Sequence, residues 1–303
     1  MSAMVITVDR GRYGCLVTET GVVVTAMRAR ELGRRAVVVG DRVDLVGDVS
    51  GAPDTLARIV RIAERRSVLR RSASDDPDAG GQEKVLVAGA DQLVVVTSLA
   101  DPTPRIGFID RCLVAAYTGH LDPILVLTKA DLAAPDELLD VYADLDFPVL
   151  VLRRTDGRLD GVEEVRESLH GKMSVLIGHS GVGKSTLVNA LVPQAFRATG
   201  SVTGVGKGRH TSTSAVALPL PDGGWVVDTP GVRSLGLAHV TADDLLETFD
   251  DLLPATVNCP PGCDHLEAGC ALDAHVAAGG AAPARLASFR RLLVSRSGVA
   301  EDL

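Results

Sequence analysis

Gly178-His-Ser-Gly-Val-Gly-Lys-Ser-Thr186 decides how the rest of this sequence is read. It satisfies G-x-x-x-x-G-K-[ST], a loop whose backbone N–H groups cradle phosphate. An apolar run, residues 173–177, precedes it as a buried strand. Residues 187–192 follow with helical apolar spacing and stop at Pro193. Strand, glycine loop and helix together form the context the motif requires. Gly181 and Gly183 let consecutive N–H groups turn inward, and the helix N-terminus adds partial positive charge. Lys184 is placed to reach the β/γ-phosphates, with the Ser185 hydroxyl on Mg²⁺. His179, Ser180, Val182 and Thr186 complete the loop.

Upstream and downstream of this loop, β and α patterns alternate. Residues 93–97, 123–127 and 148–152 read as strands, and residues 105–117, 135–145 and 162–169 as helices. Residues 214–220 and 225–227 read as a hairpin around Pro221-Asp-Gly-Gly224. The alternation predicts a mostly parallel sheet with helices on both faces. Two further loops sit at strand ends. Thr128-Lys-Ala-Asp131 resembles the N/T-K-x-D base-recognition motif, with Ala130 at its variable position. Asp131 would accept from the guanine N1–H and 2-amino groups, and the stem of Lys129 would lie over the base. Asp228-Thr-Pro-Gly231 resembles D-x-x-G. Asp228 would hold Mg²⁺ through water, and the Gly231 N–H would sense the γ-phosphate.

The order of the three loops is unusual. An ordinary GTPase has the phosphate loop first and the base motif last. Here the base motif precedes the phosphate loop, which precedes D-x-x-G. The sequence is therefore expected to be a circularly permuted GTPase, its contacts kept while its termini have moved. Between the last two loops lies Gly204-Val-Gly-Lys-Gly-Arg-His-Thr-Ser-Thr213. Thr211, or next Thr213, is expected to complete the Mg²⁺ shell, and His210 to orient water. Val232 stands where many GTPases carry a water-positioning Gln, so slow intrinsic hydrolysis that needs a partner is expected.

Residues 1–71 read as short strands at 4–8, 13–18, 21–26, 36–39, 42–46 and 57–62, punctuated by glycine, which suits a small OB-fold barrel. They hold 13 Arg against 8 acidic residues, whereas the whole chain has a net charge of −8. Arg58, Arg61, Arg65, Arg66, Arg70 and Arg71, opposed in the run by Glu64 alone, read either as a solvated face or as an RNA-backbone contact. Tyr13 is the module's sole aromatic, so base stacking is not its main mode. Residues 72–82 are polar, with Gly and Pro, and mark a linker or loop. Cys15 and Cys112 stand in apolar settings as core residues. The other three cysteines crowd into Cys259-Pro-Pro-Gly-Cys263-Asp-His265-Leu-Glu-Ala-Gly-Cys270. Three thiolates and an imidazole make a closed, structural zinc set of Cys259, Cys263, His265 and Cys270, with His275 a weaker fourth ligand. Thr241 reads as a helix cap with Asp243 and Asp244 in the first turn, and residues 285–294 as a short amphipathic helix. No apolar run approaches membrane-spanning length and the N-terminus lacks a signal core, so a cytoplasmic protein is expected.

Together these features resemble the ribosome small-subunit-dependent GTPase A family. The resemblance is carried by Val39-Gly-Asp-Arg-Val43, the permuted loop order, Gly206-Lys-Gly-Arg-His-Thr211, Asp228-Thr-Pro-Gly-Val-Arg233 and the Cys/Cys/His/Cys knuckle followed by Ala271-Leu272. It implies an N-terminal OB-fold (1–71), a central permuted GTPase domain (72–238) and a C-terminal helical zinc domain (239–303). It further implies GTP hydrolysis to GDP, stimulated by the small ribosomal subunit, in late maturation of that subunit with binding to its rRNA. One zinc per chain, Mg²⁺ with GTP, no membrane partner and a monomer complete the expectation. Two departures stand out. The zinc spacing is one residue shorter in its first and last gaps than the family's, and the second guanine loop reads Arg153-Arg-Thr-Asp-Gly157. Competing readings are an RNA-binding factor using GTP only as a binding switch, a permuted GTPase of the large subunit, and a P-loop ATPase or kinase. Asp131 argues against the last.

Overall fold

The computed structural model describes residues 1–33, 36–71, 83–192, 215–229, 235–267 and 269–296. Thr211, Thr213, His210, Gly231 and Val232 lie outside these residues, as do the linker 72–82 and Pro193.

The first five strands are β1 (Ser2–Asp9), β2 (Arg12–Val17), β3 (Val23–Arg28), β4 (Arg42–Gly47) and β5 (Ala57–Ile62). They pair β1–β2–β3–β5–β4 and close with β4 against β1, with β3 and β5 parallel. This is the expected OB-fold barrel. Its alternate residues form a private core of Ala3, Val5, Cys15, Val24, Val43, Leu45 and Ile59. Tyr13 belongs to that core, and burial pushes the Cys15 thiol up to about 12.

The expected strand at 36–39 is instead a buried turn. Only Val39 bridges, to Val87, while the Val38 N–H donates to the Asp41 carboxylate at 2.8 Å. Gly40 ends the run at φ 88, where a Cβ would lie 1.9 Å from the Ala88 carbonyl oxygen. The close approach of two backbones overrides the β-branched run.

Next come β6 (Val68–Arg71) and β7 (Lys84–Ala88), an antiparallel pair that residues 72–82 connect. The parallel sheet follows: β8 (Gln92–Ser98), α1 (Ile106–Thr118), β9 (Asp122–Thr128), α2 (Asp136–Tyr142) and β10 (Val149–Val151). A small hairpin, β11 (Arg153–Thr155) and β12 (Arg158–Asp160), leads to α3 (Val162–Leu169). Then come β13 (Met173–Ile177), α4 (Lys184–Leu191), β14 (Val216–Pro219) and β15 (Trp225–Asp228). The sheet order is β10-β9-β8-β13-β15-β14, parallel except for β14 at the edge. The central strands are apolar on both faces, as parallel strands covered by helices must be. Val94, Val96, Ile124, Val126 and Leu176 meet α3 and α4. Leu93, Val95, Leu125, Leu127 and Val175 meet α1. Entered at β8 and read through β13 to β15, the sheet is that of a circularly permuted GTPase.

The C-terminal part holds α5 (Ala242–Leu246), a 3-10 turn (Leu253–Asn258), α6 (Ala271–Ala277) and α7 (Pro283–Ser295). The Thr241 cap is a full capping box with Asp244. Phe249, Leu252, Phe289 and Leu292 join the same core as Leu113 of α1. Arg291 on α7 donates to Asp110 at 3.0 Å and lies over the Tyr142 ring. Among the described residues, no helix is long and apolar enough to cross a membrane.

Candidate functional site

β13 and β9 deliver the phosphate loop and the base loop to the same end of the sheet, because both run parallel to β8 between them. Gly181 (φ 83) and Gly183 (φ 96) take the left-handed backbone that the loop needs, and Gly183 caps α4. Ser185 and Thr186 are exposed at the first turn of that helix. Register pairs Leu176 with Asp228, so the end of β15 lies beside the loop. The Lys184 ammonium donates to the Asp228 carboxylate at 2.5 Å. The Thr229 hydroxyl donates to the Leu176 carbonyl at 2.7 Å and fixes the start of the D-x-x-G loop. The His179 ring sits 4.1 Å from Phe108 of α1, centroid to centroid.

Thr128 joins the two loops. Its buried hydroxyl donates to the Val182 carbonyl at 2.5 Å. Asparagine is the commoner residue at this position and the threonine is expected to weaken one bond to the base; here its hydroxyl makes the link between the loops. The Ala130 N–H donates to Leu152 and the Lys129 ammonium to the Asp101 carbonyl. A pocket of about 300 Å³ opens here, lined among others by Lys129, Asp131, Leu132, Arg154, Leu159 and Thr186. Asp131 accepts the Arg154 backbone N–H at 3.0 Å. That bond, before any charge effect, holds its carboxyl below the usual carboxylate range.

Sequence reasoning left residues 153–157 without a side-chain role. They form a β-hairpin, Arg154 opposite Leu159, turning at Asp156 (φ 49) and Gly157 (φ 79). Asp-Gly between short extended runs signals such a turn, and this was the clue available.

The basic run of the barrel also differs from its linear reading. Arg61 pairs with Asp44, Arg65 with Asp41 through two bonds of 2.8 and 2.9 Å, and Arg66 with Asp91 at 2.7 Å. Glu64 is therefore not the only opposing charge; the fold brings in three carboxylates from elsewhere in the chain, Asp44 on β4, Asp41 before it and Asp91 before β8. Exposed Arg12, Met27 and Arg58 lie side by side across β2, β3 and β5.

At the far end of the chain, Cys259, Cys263, His265 and Cys270 converge. The Cys259 and Cys263 sulfurs lie 3.7 and 3.6 Å from the Cys270 sulfur. The His265 Nδ1 lies 3.6 Å from the Cys259 sulfur and 3.5 Å from that of Cys270. A tetrahedral zinc ion at ordinary bond lengths asks for about 3.8 Å between sulfurs and about 3.6 Å between sulfur and nitrogen. The shortened spacing thus still closes a four-ligand set that fits such an ion. His275 is not a ligand: its Nε2 is 2.8 Å from the Asp251 carbonyl oxygen. Arg290 holds the loop onto α7, donating to the His265 carbonyl at 2.8 Å and to both oxygens of Asp273.

Fold and loops define a circularly permuted P-loop GTPase flanked by an OB-fold barrel and a metal-binding helical unit. The sequence pattern of the RsgA GTPase family matches residues 62–238. A relative from Chlorobaculum parvum, named Small ribosomal subunit biogenesis GTPase RsgA, is 40% identical over 87% of this chain and 86% of its own length. One of the same name from Pseudomonas aeruginosa is 38% identical over 86% of this chain and 76% of its own. The crystal structure of YjeQ from Thermotoga maritima superposes with a TM-score of 0.70 at 27% identity, covering 98% of both chains. That of YloQ, described as a circularly permuted GTPase, gives 0.68 at 23% identity over 98% of this chain and 95% of its own, a likeness of fold. The chain belongs to the RsgA GTPase family, and is a GTP hydrolase by that membership.

Proposed function

We propose that this GTPase acts in biogenesis of the small ribosomal subunit, in the cytoplasm and as a monomer, with its hydrolysis stimulated by that subunit. The observation that carries the reading is the pocket shared by the base loop and the phosphate loop, with Lys184 of that loop bonded to Asp228, in a chain 40% identical to a relative named for that role.

Asp131 binds the guanine N1–H and 2-amino groups, and its lowered proton affinity keeps it an acceptor. The stem of Lys129 covers the base, while Thr128 and Ala130 hold the loop. The backbone from Gly178 to Thr186 wraps the phosphates. Lys184 leaves Asp228 for the phosphate oxygens, which frees the carboxylate for the metal. Ser185, Asp228 and Thr211 would hold Mg²⁺, which supplies charge neutralisation between the phosphates. The exposed Ser185 hydroxyl and the nearby Asp228 fit that ion. Gly231 senses the γ-phosphate and His210 orients the water. Valine at 232 cannot do so, which is why a partner is needed. Cys259, Cys263, His265 and Cys270 hold a structural zinc. The outer face of the barrel at Arg12 and Arg58 meets rRNA, so binding weakens as salt rises.

The test is GTP and ATP turnover with small subunits, with large subunits and alone. GTP turnover rising only with small subunits is the expected result. Stimulation by large subunits transfers the reading to that particle, and tight GTP binding without turnover in any arm leaves only a binding switch. Asp131→Asn should exchange guanine for xanthine preference; unchanged GTP affinity would remove Asp131 from the base site.

A further inference from the structure

The hairpin of β11 and β12 forms a wall of the base pocket, with Arg154 and its cross-strand partner Leu159 both lining it. Leu132, Leu152 and Leu159 make the pocket largely apolar, which suits the faces of a purine. Its polar edge is what selects the base. Asp131 is an acceptor and serves guanine N1–H and the 2-amino group. The neighbouring guanine edge, O6 and N7, carries two acceptors and needs donors.

Of the side-chain donors in the lining, the Thr128 hydroxyl is engaged with the Val182 carbonyl and the Thr186 hydroxyl belongs to α4 on the phosphate side. The Arg154 backbone N–H is engaged with Asp131 at 3.0 Å. The Lys129 ammonium is turned to the Asp101 carbonyl. The Arg154 guanidinium makes no ion pair or hydrogen bond among the described residues. It is exposed, and its backbone is fixed by the hairpin and by Asp131. A guanidinium fork has donors only, and its spacing matches O6 and N7.

We propose that Arg154 is a specificity-determining residue whose guanidinium reads the O6/N7 edge of guanine, while its own backbone N–H orients Asp131 for the adjacent N1–H and 2-amino edge. One residue thus serves both edges of the base. The inference rests on the GTP-binding reading and deepens it. Adenine presents an amino donor where guanine has O6, so the same guanidinium works against adenine.

The test compares GDP with 7-deaza-GDP, which lacks the N7 acceptor, by calorimetry on the full-length protein and its Arg154→Ala variant. Wild-type protein should bind GDP roughly 10-fold more tightly than the deaza analogue. In Arg154→Ala, GDP affinity should fall by about that factor, and the preference should vanish. Arg154→Lys, a cation without the fork, should keep only part of it. If Arg154→Ala weakens both nucleotides equally and the preference persists, Arg154 is merely wall and the proposal is overturned. No preference in the wild type overturns it as well, while leaving the GTPase reading intact. Failure of the wild type to bind GDP at all removes that reading, and the inference with it.

Discussion

The barrel and the C-terminal helices flank the same sheet but attach to it differently. The barrel closes mostly on its own core, lending only Ile6 and Val39 of its buried residues to the core of the sheet, and meets it where Thr7 of β1 pairs with Val216 of β14 and where Arg66 pairs with Asp91 ahead of β8. The C-terminal helices share the core of the sheet, with Phe249 and Phe289 continuous with the residues of α1. Their other links are a Cys/Cys/His/Cys cluster that could hold a metal and part-buried polar contacts to α1 and α2. A module with a private core survives small losses at its border. A module that completes another's core transmits its losses to it.

The metal set is where this contrast should break most visibly. Cys263→Ala opens the closed set, and structural zinc contributes on the order of 10 kcal/mol to folds of this kind. Zinc content measured on the purified variant should fall below one per chain. Amide exchange should accelerate across residues 242–295 and on α1, while residues 3–62 keep their protection. Full zinc in the variant would remove Cys263 from the ligand set.

A smaller effect is expected at Arg291. Asp110 is 2% exposed, and its proton affinity is raised chiefly by burial, with the Arg291 charge opposing. Arg291→Ala removes that opposition and should cost about 3 kcal/mol at neutral pH. A carboxyl whose folded pKa lies above its unfolded value binds more protons when folded, so stability falls as pH rises between the two. The penalty should therefore be small near pH 4, the unfolded Asp value, and grow upward from there. Denaturant midpoints across that range decide it, and a pH-independent penalty would show that Asp110 stays charged. Asp110→Asn, which removes the buried charge and keeps the shape, should be milder.

The smallest effect belongs to the barrel. Arg65→Ala leaves the buried Asp41 carboxylate with the Val38 N–H and should cost about 1–3 kcal/mol. The loss should stay within residues 3–62 by amide exchange. Spread into α1 or α7 would refute the independence of the barrel.

Much of this arrangement was legible in the residues. Strands such as 93–97 and 173–177 are continuous apolar runs because helices cover both faces, and such runs announce themselves. The three nucleotide loops and the Cys/His set were readable because their chemistry demands fixed residue types at fixed spacing. Pairing across distance was not. β6 and β7 are short, half-buried and separated by twelve mostly polar positions, so neither carries a periodic signal alone. The partners of Arg65 and Arg66 are 24 and 25 residues away, so charge counted along the chain overstates the unpaired positive charge of the barrel. The hairpin at Arg153–Thr155 is hard to see in the sequence because its strands are three residues each and its only signal is the Asp156-Gly157 turn.

The two edges of the parallel sheet differ in how they are kept from pairing with other chains. β10 is three residues long, too short a template for a foreign strand. β14 would be an open edge, but β1 lies along its start. The barrel is thus also a guard for the solubility of the sheet. A GTPase core cut free at the border of the barrel would carry a bare strand, and its tendency would be to add a neighbour's strand before it met any ribosome.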